Sequence, residues 1–116
     1  MTIAQELQTS NKAYEHETGD EYLKFSFDYD IGGSNYFTGD NIRRGYYLTV
    51  NPVKRVDHGG YFMEETAAFS GGRFFLNNKA LARKSKKAEA EARSVLTEEY
   101  IDKIRVMLGR ESKLND

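Results

Sequence analysis

The middle of the chain alternates apolar and polar residues with the two-residue period of β-strands. Between positions 22 and 29 this alternation predicts a strand with one buried face, whose apolar side is formed by Leu23, Phe25, Phe27 and Tyr29. Gly32 and Gly33 end the pattern. A second strand is predicted over residues 45–53, with Tyr46, Leu48 and Val50 in the core. Pro52 has no N–H to donate, which indicates a strand end or an edge position.

Two further strands are predicted after a glycine-rich turn at residues 57–60, since consecutive glycines supply the positive φ of tight turns. On the first of these strands the residues that share a face are Tyr61, Met63, Glu65, Ala67 and Phe69. A second turn at residues 70–72 leads into a short strand over residues 73–76. Short connections between consecutive strands favour an antiparallel meander.

The period changes to that of a helix after Asn78. One apolar stripe is formed by Leu81, Ser85, Ala88, Ala92 and Val95, and a second by Ile101, Ile104 and Leu108. Thr97 followed by two glutamates is typical of a helix N-cap, and Gly109 of a residue just after a helix end. Two helices are therefore indicated, but a continuous stripe from Leu81 to Met107 equally allows one long helix.

These elements predict an α+β fold. An antiparallel sheet of about three to four strands, arranged as a meander within residues 22–77, would be covered by a C-terminal helix or helix pair within residues 79–109. The 116 residues suit a single domain. Residues 1–20 are polar and weakly patterned, which predicts a flexible N-terminal segment with at most one helical turn.

The composition limits the chemistry and the location. The absence of cysteine excludes disulfides, thiolate metal sites and cysteine nucleophiles, and it agrees with a reducing compartment. The N-terminus lacks the basic and apolar regions of a secretory signal, and no window is apolar enough to span a bilayer. We therefore expect a cytoplasmic protein that does not contact a membrane.

Charge is distributed unevenly along the chain. Up to Asp40 there are eight acidic residues and two basic ones, whereas residues 43–55 carry four basic residues and no acidic one. Residues 79–93 carry six basic residues and two acidic ones. Such segregation can produce a dipolar surface that steers partners, or the opposite segments can face each other and cancel. The sequence leaves both alternatives open.

Catalytic and metal-binding patterns are weak. His16 lies in a polar terminal segment and His58 in a turn, so neither has a scaffold that would preorganise a site. The complete G-x-S-x-G pattern of a nucleophile elbow is absent around Ser70, and the glycine pairs do not form a phosphate-binding pattern. We expect a protein that is not an enzyme and that uses neither metal nor cofactor.

Binding is the function class that the sequence favours. The loop and strand start near residue 40 combine aromatic and cationic residues, which are frequent at interface hot spots: Asn35, Tyr36, Phe37, Arg43, Arg44 and Tyr47. A protein partner is the first hypothesis. The alternative is nucleic acid, bound by stacking on the same aromatic residues and by a basic helix carrying Lys84, Lys86 and Lys87. Self-association through an exposed strand edge or an apolar helix face is also open.

A longer stretch of the chain carries a resemblance. The segments GGSNYFTGDNIRRGYYLTVNPVKR and GGYFMEETAAFSG, followed by a Lys/Ala-rich helix, resemble short uncharacterised bacterial proteins of phages, plasmids and conjugative elements. The similarity covers roughly residues 25–93. It implies a small cytoplasmic accessory factor of a mobile element that acts by binding a host protein or a nucleic acid, and it implies no catalytic residue.

Overall fold

The alternating and helical patterns become the strands and helices of an α+β structure. The computed structural model describes residues 1–34, 37–39, 41–66, 71–78 and 82–114. In chain order the elements are α1 (Ile3–Glu6), β1 (Lys12–Thr18), β2 (Glu21–Asp30), β3 (Gly33–Ser34), β4 (Asn41–Ile42), β5 (Gly45–Asp57), β6 (Phe62–Thr66), β7 (Gly72–Phe75), α2 (Lys86–Val95) and α3 (Glu98–Met107). The predicted fold class, an antiparallel sheet with C-terminal helices, is confirmed.

The main sheet has β5 as its central strand. Strands β1, β2, β5 and β6 lie side by side in that order, and all pairs are antiparallel. Strand β7 does not continue the meander beyond β6 but returns to β5. Because β5 has 13 residues and β6 only five, β6 covers one half of this edge of β5 and β7 covers the other.

Pro52 does not end the second predicted strand. β5 continues through Pro52 to Asp57 and pairs with β2 along both halves. On its other edge, the pairs with β7 stop at Val50 and the pairs with β6 begin at Val53. Pro52 therefore occupies a local gap in the ladder of the described residues, where a missing N–H is tolerated.

The N-terminal segment forms α1 and β1, where the sequence predicted flexibility. Strand β1 pairs along β2 from Lys12 to Thr18. The sequence shows no apolar alternation here, because Glu15 and Glu17 take the positions that face the helices, where an apolar residue would be expected. Arg105 and Arg110, about 90 residues later in the chain, bind these two carboxylates.

The hydrophobic core lies between one face of the sheet and the helices. The cross-strand pairs Phe25–Val50 and Phe27–Leu48 line that face. The helices cover it with buried residues that include Ala88, Ala92, Leu96, Ile101 and Ile104. The C-terminal region forms two helices rather than one, with Thr97 as the N-cap of α3 as predicted.

Candidate binding surface

The predicted binding loop forms a small β-ribbon that leaves the main sheet. We call residues 31–44 the ribbon. Its strands β3 and β4 pair Gly33 with Ile42 and Ser34 with Asn41. Gly32 begins it with φ +79°, and a Cβ at this position would lie 3.0 Å from both the Arg44 nitrogen and the Ile42 oxygen. Only glycine fits this close crossing of the two chain segments.

Asp30 fixes the base of the ribbon to the sheet. Its Oδ1 accepts a hydrogen bond of 2.8 Å from the Gly32 N–H, and its Oδ2 lies 2.9 Å from Nη2 of Arg73 on β7. The Gly32 N–H and, after it, Arg73 hold the pKa of Asp30 below its usual value, because both stabilise the ionised carboxylate. The carboxylate thus joins the ribbon and two strands at one point.

Arg43 and Arg44 are exposed at the end of the ribbon, as a contact role requires. The Arg43 guanidinium lies 5.7 Å from the ring centre of Phe75. Nε of Arg44 is 3.4 Å from the Ile31 carbonyl oxygen, a long hydrogen bond. Two large apolar side chains of the ribbon are also exposed, Phe37 by 94% and Ile31 by 77%.

Tyr47 belongs to the packing of the sheet and does not supply exposed contact area. Only 8% of Tyr47 is exposed. Its hydroxyl donates a hydrogen bond of 2.7 Å to the Arg43 carbonyl, and the Arg73 guanidinium lies 3.9 Å above its ring. The predicted contact residues Asn35 and Tyr36 lie outside the described residues.

The fold brings the arginine pair of the ribbon and the lysines at the start of α2 to the same end of the sheet. Asp30 and Gly45 form the last pair of β2 and β5, so Arg43 and Arg44 lie at that end. Tyr29 is one residue inside it, and its hydroxyl accepts a hydrogen bond of 3.2 Å from the Lys84 N–H. Lys86 and Lys87 follow as exposed residues of the first turn of α2.

Four acidic residues of the first 40 positions pair with bases outside these segments. Glu15 binds Arg105, Glu17 binds Arg110, and Asp28 and Asp30 bind Arg73. Among the ion pairs of the described residues, none joins a carboxylate to Arg43, Arg44, Lys84, Lys86 or Lys87. In this part of the chain the acidic residues of the first 40 positions therefore form no ion pair with the basic end.

The sheet face opposite the helices, which we call the open face, holds a second aromatic and cationic group that the sequence did not indicate. Arg55 lies 4.6 Å from the Tyr14 ring centre and 4.8 Å from that of Tyr22. Beside them Glu64 accepts hydrogen bonds from Lys24 and Tyr14, and these two groups keep the pKa of Glu64 below its usual value. Only the cross-strand register brings these residues together, so no local signal could have identified them.

The open face is not organised as a platform for bases. The rings of Tyr14, Tyr22 and Tyr47 are already stacked with the guanidinium groups of Arg55 and Arg73. A nucleobase would have to displace those cations before it could stack. This geometry favours the ribbon over the sheet face as the contact surface.

A cleft of about 470 Å³ lies between α1, β1, α3 and the C-terminal segment. The polar groups at its base already bind one another or nearby groups: Arg105 binds Glu15, and His16 Nε2 lies 2.8 Å from the Gly19 oxygen. His58 stacks on Tyr61. The described residues contain no group of three or more His, Cys, Asp or Glu side chains suited to a metal ion.

Comparison with known proteins adds no relative. The chain matches no family model, no curated protein and no solved structure. No helix in the described part of the chain has the length and apolar character needed to cross a membrane. The geometry of the ribbon and its surroundings is therefore the basis for a functional hypothesis.

Proposed function

We propose that this chain is a non-enzymatic, cytoplasmic accessory protein that binds a protein partner through the ribbon. The observation that carries the proposal is the exposure of Phe37 and Ile31 in the same ribbon as the exposed Arg43 and Arg44. Large exposed apolar side chains next to arginine are typical of interface hot spots. The resemblance of residues 25–93 to proteins of phages, plasmids and conjugative elements supports a role on a mobile element.

The charges of the ribbon suggest the chemistry of the partner. Guanidinium groups form paired hydrogen bonds with carboxylates, and neither Arg43 nor Arg44 is in an ion pair within the described part of the chain. The Gly32 crossing and the Asp30 contacts fix the direction of the ribbon before binding, which reduces the entropy lost on association. The partner is an apolar surface bordered by Asp or Glu.

The experiment compares variants of the tagged chain in a nuclease-treated lysate of its host. Arg43→Ala/Arg44→Ala and Phe37→Ala should each reduce recovery of a specific protein, by at least about tenfold for the double variant, since hot-spot arginines contribute more than about 1 kcal/mol each. Lys86→Ala/Lys87→Ala removes the same charge from the same end of the sheet and serves as the matched control. A partner whose recovery depends on the lysines and not on the arginines contradicts the proposal.

Nucleic-acid binding is the second candidate, because Arg43, Arg44, Lys84, Lys86 and Lys87 meet at one end of the sheet. Phosphate contacts predict binding that weakens steeply as salt rises, and both double variants should then lose affinity to a similar extent. Mobility-shift assays with single- and double-stranded probes at low salt separate the two functions. Absence of any shift removes the second candidate.

A further inference from the structure

The position of the ribbon depends on its two ends. Strands β3 and β4 pair with each other and form a sheet separate from the main one. Among the described residues, no strand pairing therefore holds the ribbon against β2 or β5. The chain enters the ribbon after Asp30 and leaves it before Gly45, and these two residues face each other as the last pair of β2 and β5. Contacts made beside this pair thus set the direction in which the ribbon leaves the sheet.

The first end of the ribbon is bound to Arg73 of β7 through Asp30. The Asp30 carboxylate accepts the Gly32 N–H with one oxygen and pairs with Nη2 of Arg73 at 2.9 Å through the other. The same Nη2 lies 3.8 Å from Oδ2 of Asp28, two residues earlier on β2. Without this guanidinium, two neighbouring carboxylates would repel each other at the point where the ribbon begins.

The second end of the ribbon is bound to the same guanidinium through Tyr47. The Tyr47 hydroxyl donates to the Arg43 carbonyl at 2.7 Å, and the Arg73 guanidinium covers the Tyr47 ring at 3.9 Å from its centre. Phe75, the next residue on that face of β7, contacts the same ring, with the ring centres 5.3 Å apart. It also packs on Gly45, because a Cβ there would lie 2.5 Å from Phe75 Cε2. Two side chains of β7 thus fix the end of the ribbon.

We propose that Arg73 is the positioning residue of the ribbon, because its one guanidinium is tied to both ends. The planar group binds a carboxylate at its edge and stacks on a ring with its face, a combination that a lysine ammonium does not offer. The side chain lies on the open face and is 36% exposed, outside the hydrophobic core. The inference rests on the proposed function, since a ribbon of fixed direction loses less entropy when a partner binds.

Hydrogen exchange of the free protein, measured by NMR, tests this role without a partner. In Arg73→Ala, the amides of residues 31–34 and 41–44 should exchange at least about threefold faster than in wild type, since both ends lose their anchor. Amides of the β1–β2 ladder should exchange at the wild-type rate. Arg55→Ala is the matched control, because it removes a guanidinium that stacks on tyrosines of the same face at the other end of the sheet. Unchanged ribbon exchange in Arg73→Ala, or an equal increase in Arg55→Ala, overturns the proposal.

A conservative variant separates the ion pair from the stacking. Arg73→Lys keeps a positive charge beside Asp30 but presents no planar group to the Tyr47 ring. Exchange should stay close to wild type at residues 31–34 and increase by at least about threefold at residues 41–44. This variant also decides the question if Arg73→Ala does not fold. Wild-type exchange at both ends in Arg73→Lys contradicts the assigned role.

A buried variant separates positioning from direct contact with a partner. Tyr47→Phe keeps the ring of a residue that is only 8% exposed and removes the hydroxyl that binds the Arg43 carbonyl. In the lysate experiment, Tyr47→Phe and Arg73→Ala should each recover at least about threefold less of the protein whose recovery depends on the ribbon arginines. Faster ribbon exchange with undiminished recovery of that protein contradicts a role in binding. Faster ribbon exchange when wild type recovers no such protein supports the positioning by Arg73 and counts against the proposed function alone.

Discussion

Asn77 is a buried side chain that joins the sheet to a helix. Its Oδ1 accepts a hydrogen bond of 2.7 Å from the Tyr46 N–H at the start of β5. Its Nδ2 donates to the Ala88 carbonyl of α2 at 2.9 Å and to Glu91 at 3.0 Å. In the sequence, the two asparagines at 77–78 indicate only a change of period. Which of them is buried depends on contacts that the local pattern does not contain.

Asn77→Ala should lower the free energy of unfolding by about 1–3 kcal/mol, because it leaves the buried Tyr46 N–H without an acceptor. The neighbouring exposed Asn78 is the matched control, and Asn78→Ala should have a clearly smaller effect. Urea denaturation followed by circular dichroism measures both. Equal losses for the two variants would show that burial at position 77 is not the cause.

A break in the helical conformation at Leu96 and Thr97 separates α2 from α3. Leu96 leaves the helical conformation with ψ +66°, and Thr97 caps α3 by accepting a hydrogen bond of 3.2 Å from the Tyr100 N–H. At the other end of α3, Gly109 follows with φ +81°, as its position in the sequence predicted. The break lets Leu96, Ile101 and Ile104 all reach the core, which favours two helices over the continuous stripe.

Thr97→Ala should destabilise the chain by about 0.5–2 kcal/mol, because the first turn of α3 loses its side-chain acceptor. Thr97→Ser keeps the hydroxyl and should stay close to wild type. Thermal and urea unfolding measure the difference. If serine and alanine were equally destabilising, the methyl group of Thr97 and not its capping oxygen would be responsible.

Three carboxylates link distant parts of the whole molecule. Asp30 joins the ribbon to β7, Glu64 joins β6 to β1 and β2, and Asp102 holds the C-terminal segment. Hydrogen bonds from Ser112 and from the Lys113 N–H, with Arg105 nearby, keep the pKa of Asp102 below its usual value. The pKa values of Asp30 and Glu64 are lowered in the same direction.

When the pKa of a carboxyl group is lower in the folded state, the unfolded state takes up the proton first as the pH falls. These carboxylates therefore stabilise the fold above about pH 4, and this contribution is lost as the pH falls through their folded pKa values. We expect urea titrations to show that the free energy of unfolding decreases as the pH falls from about 5 to about 2, the range in which these carboxylates become protonated. Asp102→Asn should be less stable than wild type at neutral pH and show a shallower decrease. An unchanged slope would assign the acid sensitivity to other groups.

Local sequence patterns were sufficient to predict the elements whose side chains follow the period of a strand or a helix. β2, the first part of β5 and the caps of α3 could be predicted, because alternation, helical spacing and capping residues act within a few positions. The core role of Tyr46, Leu48 and Val50 followed from the same alternation and is confirmed. Arg43 and Arg44 of the ribbon could also be predicted as contact residues, because they follow an aromatic-rich loop in the sequence, and both are exposed.

The remaining features depend on tertiary contacts. Glu15 can face the helices in β1 because Arg105 binds it there, and a local pattern cannot reveal a partner 90 residues away. The burial of Tyr47 depends on Arg73 and Phe75, which belong to β7 and contact the Tyr47 ring. Lys84 lies at the same end of the sheet as Arg43 and Arg44 because its N–H binds the Tyr29 hydroxyl. Each of these features depends on long-range contacts, whose cause is the packing of one element on another.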